Sequence, residues 1–271
     1  MKKSFMLLIL LLCASLLIAQ ETKKKTDTAP QKEKAVEAKE AEPAPSPESI
    51  AKGKEAIKKA IEALGGKALL EVKDIVQVSS LTVNSPQGEM QIEATTTIAL
   101  PNRMTQTMST QFGDMKTGYD GTAGWMAGPN GVQDIPEAQV GEVKKQMNGN
   151  IYTFLQHYDH ADYIVQYLSE EKTADKSAHV VLVKYVPGDF TMKFYIDTKS
   201  NLISKRVGQR NMGMGKVDVE DSYSDYRAVN GVQIPFKVVS QSNGNKIADI
   251  TMTSVKLNSG VKDDVFKKPV E

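Results

Sequence analysis

Residues 89–126 read EMQIEATTTIALPNRMTQTMSTQFGDMKTGYDGTAGWM, and this stretch decides the fold class. Apolar or small side chains alternate along it: Met90, Ile92, Ala94, Thr96 and Ile98, then Met104, Met108, Thr110 and Phe112. A period of two is that of β-strands with one face turned inward. Asp120-Gly121 is a dipeptide suited to the positive φ angles of a tight hairpin. The inner face carries flexible Met and small Ala and Thr rather than interlocking Leu and Val, which is how a sheet lines a cavity.

Working outward, the same alternation predicts strands over 72–83, 90–100, 104–112, 115–120 and 122–127. It resumes over 163–168, 178–186, 191–197, 202–210, 216–227, 232–241 and 246–257. Gly188-Asp189, Lys199-Ser200-Asn201, Asn230-Gly231 and Asn243-Gly244 stand at hairpin distances between them. Pro235 within an otherwise good strand predicts a bulge or an edge. A helical or irregular insertion is expected from about 135 to 157, where Val140, Val143, Met147, Ile151 and Leu155 are apolar. Upstream, Ser46-Pro47-Glu48 opens a helix with a capping hydroxyl, a proline in the first turn and an early acid. Its stripe of Ile50, Ala51, Ala56, Ile57, Ala60, Ile61 and Leu64 ends at Gly65-Gly66. The expected fold class is therefore mainly β with some helix (α+β): a strongly curved antiparallel sheet or open barrel, with an N-terminal helix packed onto it.

The ends bound the compartment. Met1-Lys2-Lys3, an apolar run from Phe5 to Ala19 and polar residues thereafter make residues 1–19 a secretory signal. The single cysteine, Cys13, falls inside it, preceded by the bulky Leu10-Leu11-Leu12 rather than the small residue a lipidation site wants. An uncleaved anchor and lipidation at Cys13 are the alternatives. Residues 20–46 are Lys, Glu, Ala, Pro, Thr and Gln in the main, a composition that cannot offset chain entropy by burial, and form a disordered linker. Residues 47–271 form one domain. A periplasmic or secreted location follows. Removing Lys2 and Lys3 from the 34 basic residues leaves 32 against 33 acidic ones, so the mature surface is balanced and offers no basic face to nucleic acid.

Chemistry is sparsely signalled. His157 and His160, beside Asp159 and Asp162, share a spacing that suits a helix face, but His179 is distant and neither a structural nor a catalytic zinc shell is complete. A polar helix-to-strand corner is the expectation, with no metal and no cofactor. There is no Gly-x-Ser-x-Gly elbow, and the glycine-rich Gly208–Gly215 stretch precedes no helix. Asp218 and Glu220, and Asp263 and Asp264, are expected to be solvated. An enzyme is not expected. Ten methionines beyond Met1 and Met6 suit either a surface that accepts varied acyl chains or an ordinary core with adaptable filler. Trp125, the single tryptophan, is either a core anchor or a cap on the cavity rim.

The chain resembles the LolA/LolB-like periplasmic lipoprotein-carrier superfamily. The resemblance rests on Leu100-Pro101-Asn102-Arg103 between two strands, YDGTAGWM at 119–126, FYIDTKSNLISK at 194–205, SDYRAVNGVQIPFKV at 224–238 and DDVFKKP at 263–269. AIEALGG at 60–66 is similar to secreted members found beside or fused to zinc peptidases. The resemblance implies an incomplete antiparallel barrel around a helical lid, with the lid in 135–157 and an apolar cavity for acyl chains or lipoproteins. Its expected wall is Met90, Ile92, Ile98, Met104, Met108, Met115, Trp125, Met192, Phe194 and Ile196. It also implies a role in lipid or lipoprotein transport to the outer membrane; the alternative is a sensor or scaffold that binds an envelope protein such as a zinc peptidase. A monomer is expected. One departure stands out. The carrier has an Arg immediately before the Pro-Asn that latches the lid; here that position is Leu100, with Arg103 three residues later.

Overall fold

A computed structural model describes residues 42–85, 88–110, 113–173, 176–211 and 216–270. The expected signal, Cys13, linker residues 20–41, Phe112, Met212 and Met214 lie outside the described residues.

Helix α1 (Pro47–Leu64) starts where its capping sequence predicts. The Ser46 hydroxyl accepts from the Ser49 N–H at 3.1 Å and the Ser49 hydroxyl accepts from the Ser46 N–H at 2.9 Å, so two orphan donors are satisfied reciprocally. It ends at Gly65, whose φ of 128° is closed to side chains, and Gly66 follows with φ 55°. The stripe Ala56, Ile57, Ala60, Ile61 and Leu64 is buried, while Ala51 at the exposed start is not. The one-turn helix α2 (Lys67–Leu70) was not expected from the sequence; four residues are too few for a periodicity to show.

Among the described residues thirteen strands follow: β1 (Asp74–Ser85), β2 (Gly88–Ala99), β3 (Arg103–Thr110), β4 (Gly113–Tyr119), β5 (Gly124–Gly128), β6 (Gly131–Asp134), β7 (Tyr163–Lys172), β8 (Ser177–Tyr185), β9 (Phe190–Asp197), β10 (Ile203–Asn211), β11 (Lys216–Val229), β12 (Val232–Ser242) and β13 (Asn245–Leu257). They form one antiparallel sheet in the order β6-β5-β4-β3-β2-β1-β13-β12-β11-β10-β9-β8-β7. The edges β6 and β7 do not pair with each other, so the barrel is incomplete. The chain crosses from one edge to the other through α3 (Glu137–Asn148) and α4 (Ile151–His157), the segment expected to be the lid.

One turn and one strand proline differ from the expectation. Asp120-Gly121 belongs to a four-residue loop, because Tyr119 pairs with Gly124 and the Asp120 carboxylate accepts from the Thr122 and Ala123 N–H groups, each at 2.8 Å. Pro235 is in an inner strand. It lies in the part of β12 that pairs with β11 alone, where the register runs without a shift past Asp225 (φ 55°), so the prolyl nitrogen is missed by no β13 partner. β6, only four residues long, was also not foreseen.

The register defines the faces. Ile98, Met104 and Tyr119 are successive cross-strand partners, as are Val181 and Phe194, and Val183 and Met192. These residues share the main core with α1, α3 and α4, so theirs is the inner face. Gly118 pairs with Thr105 on one side and Trp125 on the other, which puts Trp125 on the outer face. There the C-terminal segment covers it: the Trp125 Nε1–H donates to the Phe266 carbonyl at 2.9 Å. Phe266 is fully buried beneath the Arg103 guanidinium, and Arg103 pairs with Asp263 at 2.6 Å. Lys268 reaches Asp134 on β6 at 2.9 Å. The tail thus straps β3, β5 and β6 from outside.

Candidate functional site

Nine of the ten expected wall residues share the inner face; Trp125 is the exception. They fall in two groups. Ile98, Met104, Met192, Phe194 and Ile196 lie beneath the helices in the main core with Val143, Met147, Phe154 and Leu155. Phe154 of α4 stacks on Phe194 with ring centroids 5.2 Å apart and meets Tyr163 edge-on at 5.3 Å. This half is filled by the protein's own side chains. Met90, Ile92, Met108 and Met115 stand toward the other end. Met108 belongs to a second cluster with Leu81, Val83, Ala94, Val238, Ala248 and Ile250, while Ile92 is partly buried against it.

A polar belt runs across β2, β3 and β4 beside the two apolar groups. Thr96, Gln106 and Thr117 are cross-strand neighbours and all buried. Gln106 Nε2 donates to Thr96 Oγ1 at 3.0 Å. Among the described residues, the remaining atoms Gln106 Oε1 and Thr117 Oγ1 have no partner, nor does Gln146 Oε1 on α3.

Charge enters the inner face on β10 and β11. Arg206 pairs across the sheet with Phe194 on one side and Asp221 on the other, and Asp221 with Ser240. Arg206 and Arg210 both donate to Asp221 Oδ2, Arg206 at 2.8 Å, and the Ser240 hydroxyl donates to Oδ1 at 2.7 Å. Burial alone would push the Asp221 carboxyl up; the two guanidiniums and the Ser240 hydroxyl outweigh it and hold the group below the usual carboxylate range. Burial pushes the Tyr152 and Tyr223 hydroxyls up, so both remain neutral. Sequence reasoning missed this trio. Its signal was present: Val217, Val219, Asp221 and Tyr223 share the inward parity of β11, and a carboxylate in an otherwise apolar register is a flag.

Two hollows adjoin the helices. A groove of about 810 Å³ opens where α2, α4, the β2–β3 turn and the segment after β13 meet, lined by Leu70, Val72, Leu100, Pro101, Gln156 and His157. None of the ten expected wall residues lines it. The Leu100–Pro101 bond is cis, and the Thr153 hydroxyl of α4 donates to the Pro101 carbonyl at 3.3 Å. Gln156 Nε2 donates to the carbonyls of Val72 (2.8 Å) and Leu69 (3.3 Å). Asp74, beside the groove, accepts from the Ser259 N–H and hydroxyl and the Gly260 N–H at 2.7–3.0 Å. A smaller cavity of about 40 Å³, between α4 and Tyr223 and Tyr226, has room for water but not for an acyl chain.

The histidines do not converge. His157 Nδ1 meets the Thr153 carbonyl at 2.9 Å, and His160 Nδ1 lies 3.4 Å from Asp162. Among the described residues, no three His, Cys, Asp or Glu side chains gather around one point. Nor, among them, is any helix long and apolar enough to cross a membrane.

No family model matches the sequence, and no curated protein does. Solved structures do match the fold. A LolA superfamily protein from Nitrosomonas europaea is 15% identical, with 80% of this chain and 97% of that one covered at a TM-score of 0.56. A DUF1329 family protein from Desulfovibrio piger is 9% identical, with 81% and 97% covered at 0.58. A domain named for outer membrane lipoprotein sorting, from Vibrio parahaemolyticus, is 11% identical, with 79% and 97% covered at 0.52. The chain therefore has a LolA-like fold, and the likeness at these identities is one of fold.

Proposed function

We propose that this is a non-enzymatic envelope protein that takes an acyl chain, or the acyl anchor of a lipoprotein, against the inner face of its open barrel. The observation that carries the proposal is the fold itself, shared over almost the whole length of a LolA superfamily protein and of a lipoprotein-sorting domain. In this proposal residues 1–19 are the signal, 20–46 the tether and 47–271 the binding domain, located in the periplasm or secreted, and acting as a monomer. The groove beside Leu100 and Pro101 is the entrance, because it is apolar on one side and touches the lid. An acyl chain reaches the inner face when α4 lifts, which exchanges the Phe154–Phe194 stack for contacts with methylenes. Each buried methylene contributes about 0.8 kcal/mol. The Thr153–Pro101 bond stands where the resembling carrier has an Arg latch; a single neutral hydrogen bond of about 1 kcal/mol holds the lid more weakly than a guanidinium would. Transport of lipid or lipoprotein to the outer membrane belongs to this proposal without the Arg-latched opening of the resembling carrier.

The test is native mass spectrometry of the protein purified from the envelope, followed by lipid extraction. Retained lipid, and a rise in thermal stability on adding lipid to stripped protein, are expected. Protein that copurifies with no lipid and gains no stability from any would defeat the proposal.

The filled half of the barrel favours one second reading: a scaffold whose interior is its own side chains and whose outer face binds an envelope protein, such as a zinc peptidase. Met108→Glu distinguishes the two. It abolishes lipid retention with the fold intact under the first reading and unfolds the domain under the second, and circular dichroism separates these results.

A further inference from the structure

We infer that Arg206 and Arg210 form an anion site on the inner face, and that the amphiphile this barrel takes up carries a carboxylate or phosphate head. The inference rests on the acyl-binding reading and specifies its ligand. Both guanidiniums reach one oxygen of one carboxylate, and the other oxygen is occupied by Ser240. Among the described residues, no second carboxylate lies within ion-pair distance of either arginine. Asp221 is ionised at neutral pH, so the trio carries one net positive charge.

That charge is in an expensive place. The side chains of Arg206 and Arg210 are 21% and 25% exposed, and that of Asp221 is 4% exposed. A charge taken out of water without a counter-ion is strongly disfavoured, and an anion in the same site removes the cost. Arg206 has partial relief from the Gly149 carbonyl just past the end of α3, 3.4 Å from its guanidinium, where the helix dipole is negative. Arg210, four residues further along β10 on the same face, is the arm left to receive a ligand. A planar guanidinium matches the two oxygens of a carboxylate or phosphate.

The position suits an amphiphile. Arg206 is the cross-strand partner of Phe194, so a head bound there begins a tail on the apolar inner face. Tyr223, neutral and adjoining the 40 Å³ cavity, stands beside the trio as a hydroxyl donor. Because Arg206 also holds the carbonyl at the α3–α4 junction, a head at this site touches the lid.

The test uses the full-length protein and four probes: palmitate, hexadecyl phosphate, hexadecanol and inorganic phosphate, with affinities measured by calorimetry. Wild type should bind palmitate or hexadecyl phosphate about tenfold or more tighter than hexadecanol, the worth of a charge-assisted contact. Arg210→Gln should bring the anionic probes to within about twofold of hexadecanol, leaving hexadecanol itself unchanged, and Arg210→Lys should retain the preference. Equal affinity for palmitate, hexadecyl phosphate and hexadecanol in wild type, or a preference that survives Arg210→Gln, overturns the anion site while leaving acyl burial intact. Binding of none of the three amphiphiles overturns both. Inorganic phosphate bound as tightly as hexadecyl phosphate marks a site for a free anion and overturns the head-group assignment. If Arg210→Gln does not fold, the wild-type comparison of the four probes still decides.

Discussion

Thr117→Val should stabilise this protein, although it removes a polar group from a buried belt. Thr117 is 1% exposed on β4, its hydroxyl has no partner among the described residues, and the amide of its cross-strand neighbour Gln106 is turned to Thr96 instead. A hydroxyl buried without a hydrogen bond costs about 1–3 kcal/mol. Valine keeps the branched shape and the strand preference, and adds a buried methyl. With relaxation of neighbouring atoms taking part of the gain, about 1–2 kcal/mol of added stability is expected, a rise in Tm of about 2–8 °C for a domain of this size. Differential scanning calorimetry measures the shift, and urea unfolding with an unchanged m-value shows that the native state is the one altered. Thr95→Val, at an exposed site on β2, two strands away, is the control and should stay within about 0.5 kcal/mol of wild type. A fall in Tm for Thr117→Val would refute the reasoning, since it would mean that the hydroxyl is bonded in the native protein.

Gly53→Ala should destabilise α1 packing by about 1–3 kcal/mol, against the roughly 1 kcal/mol that alanine gains in a helix, because its Cβ would stand 2.8 Å from the Tyr167 backbone nitrogen; thermal unfolding reads the sign. Phe266→Ala should cost about 3–5 kcal/mol and shift Trp125 fluorescence to the red as the outer strap loosens. Asp221 and Asp74 have folded pKa values below their unfolded ones; for both, burial opposes the shift, and the arginines around Asp221 and the Ser259 and Gly260 donors around Asp74 outweigh it. Their stabilisation is therefore full above about pH 4 and lost as pH falls through the folded values, so an acid titration of urea stability should decline below about pH 4, and less steeply in Asp74→Asn. At the other extreme, burial pushes the Tyr163 hydroxyl up to about 12 and the Tyr152 and Tyr226 hydroxyls up as well, so stability is intact below about pH 10 and should fall above it, measured by the same titration.

Most of the fold was legible because a half-buried strand writes its faces into a period of two. Met90 to Ile98 alternates in burial as in sequence, although on β3 Thr105 is buried as well as Met104 and Gln106, and the Asn-Gly turns at Asn230 and Asn243 adopt the positive φ angles their side chains permit. The helix from Pro47 to Leu64 was equally clear, since its cap and its terminal glycines are local chemistry. Short elements were not: β6 and α2, at four residues each, carry too few side chains for a pattern.

What the sequence could not determine is which strand faces meet and what fills the space between them. Trp125 alternates in step with its own strand, yet the loop at 120–123 places it on the face opposite Met104, where Phe266, 141 residues away in the chain, covers it. Arg103 stands near the position of the resembling carrier's latch but grips the C-terminal strap instead, through Asp263 and Phe266. Arg206, Arg210, Asp221 and Ser240 come from three strands, and only their pairing shows that one carboxylate answers two guanidiniums. Local sequence determines parity, because parity depends on neighbouring φ and ψ. Enclosure and charge balance are sums over distant residues, and the closed tertiary structure alone performs them.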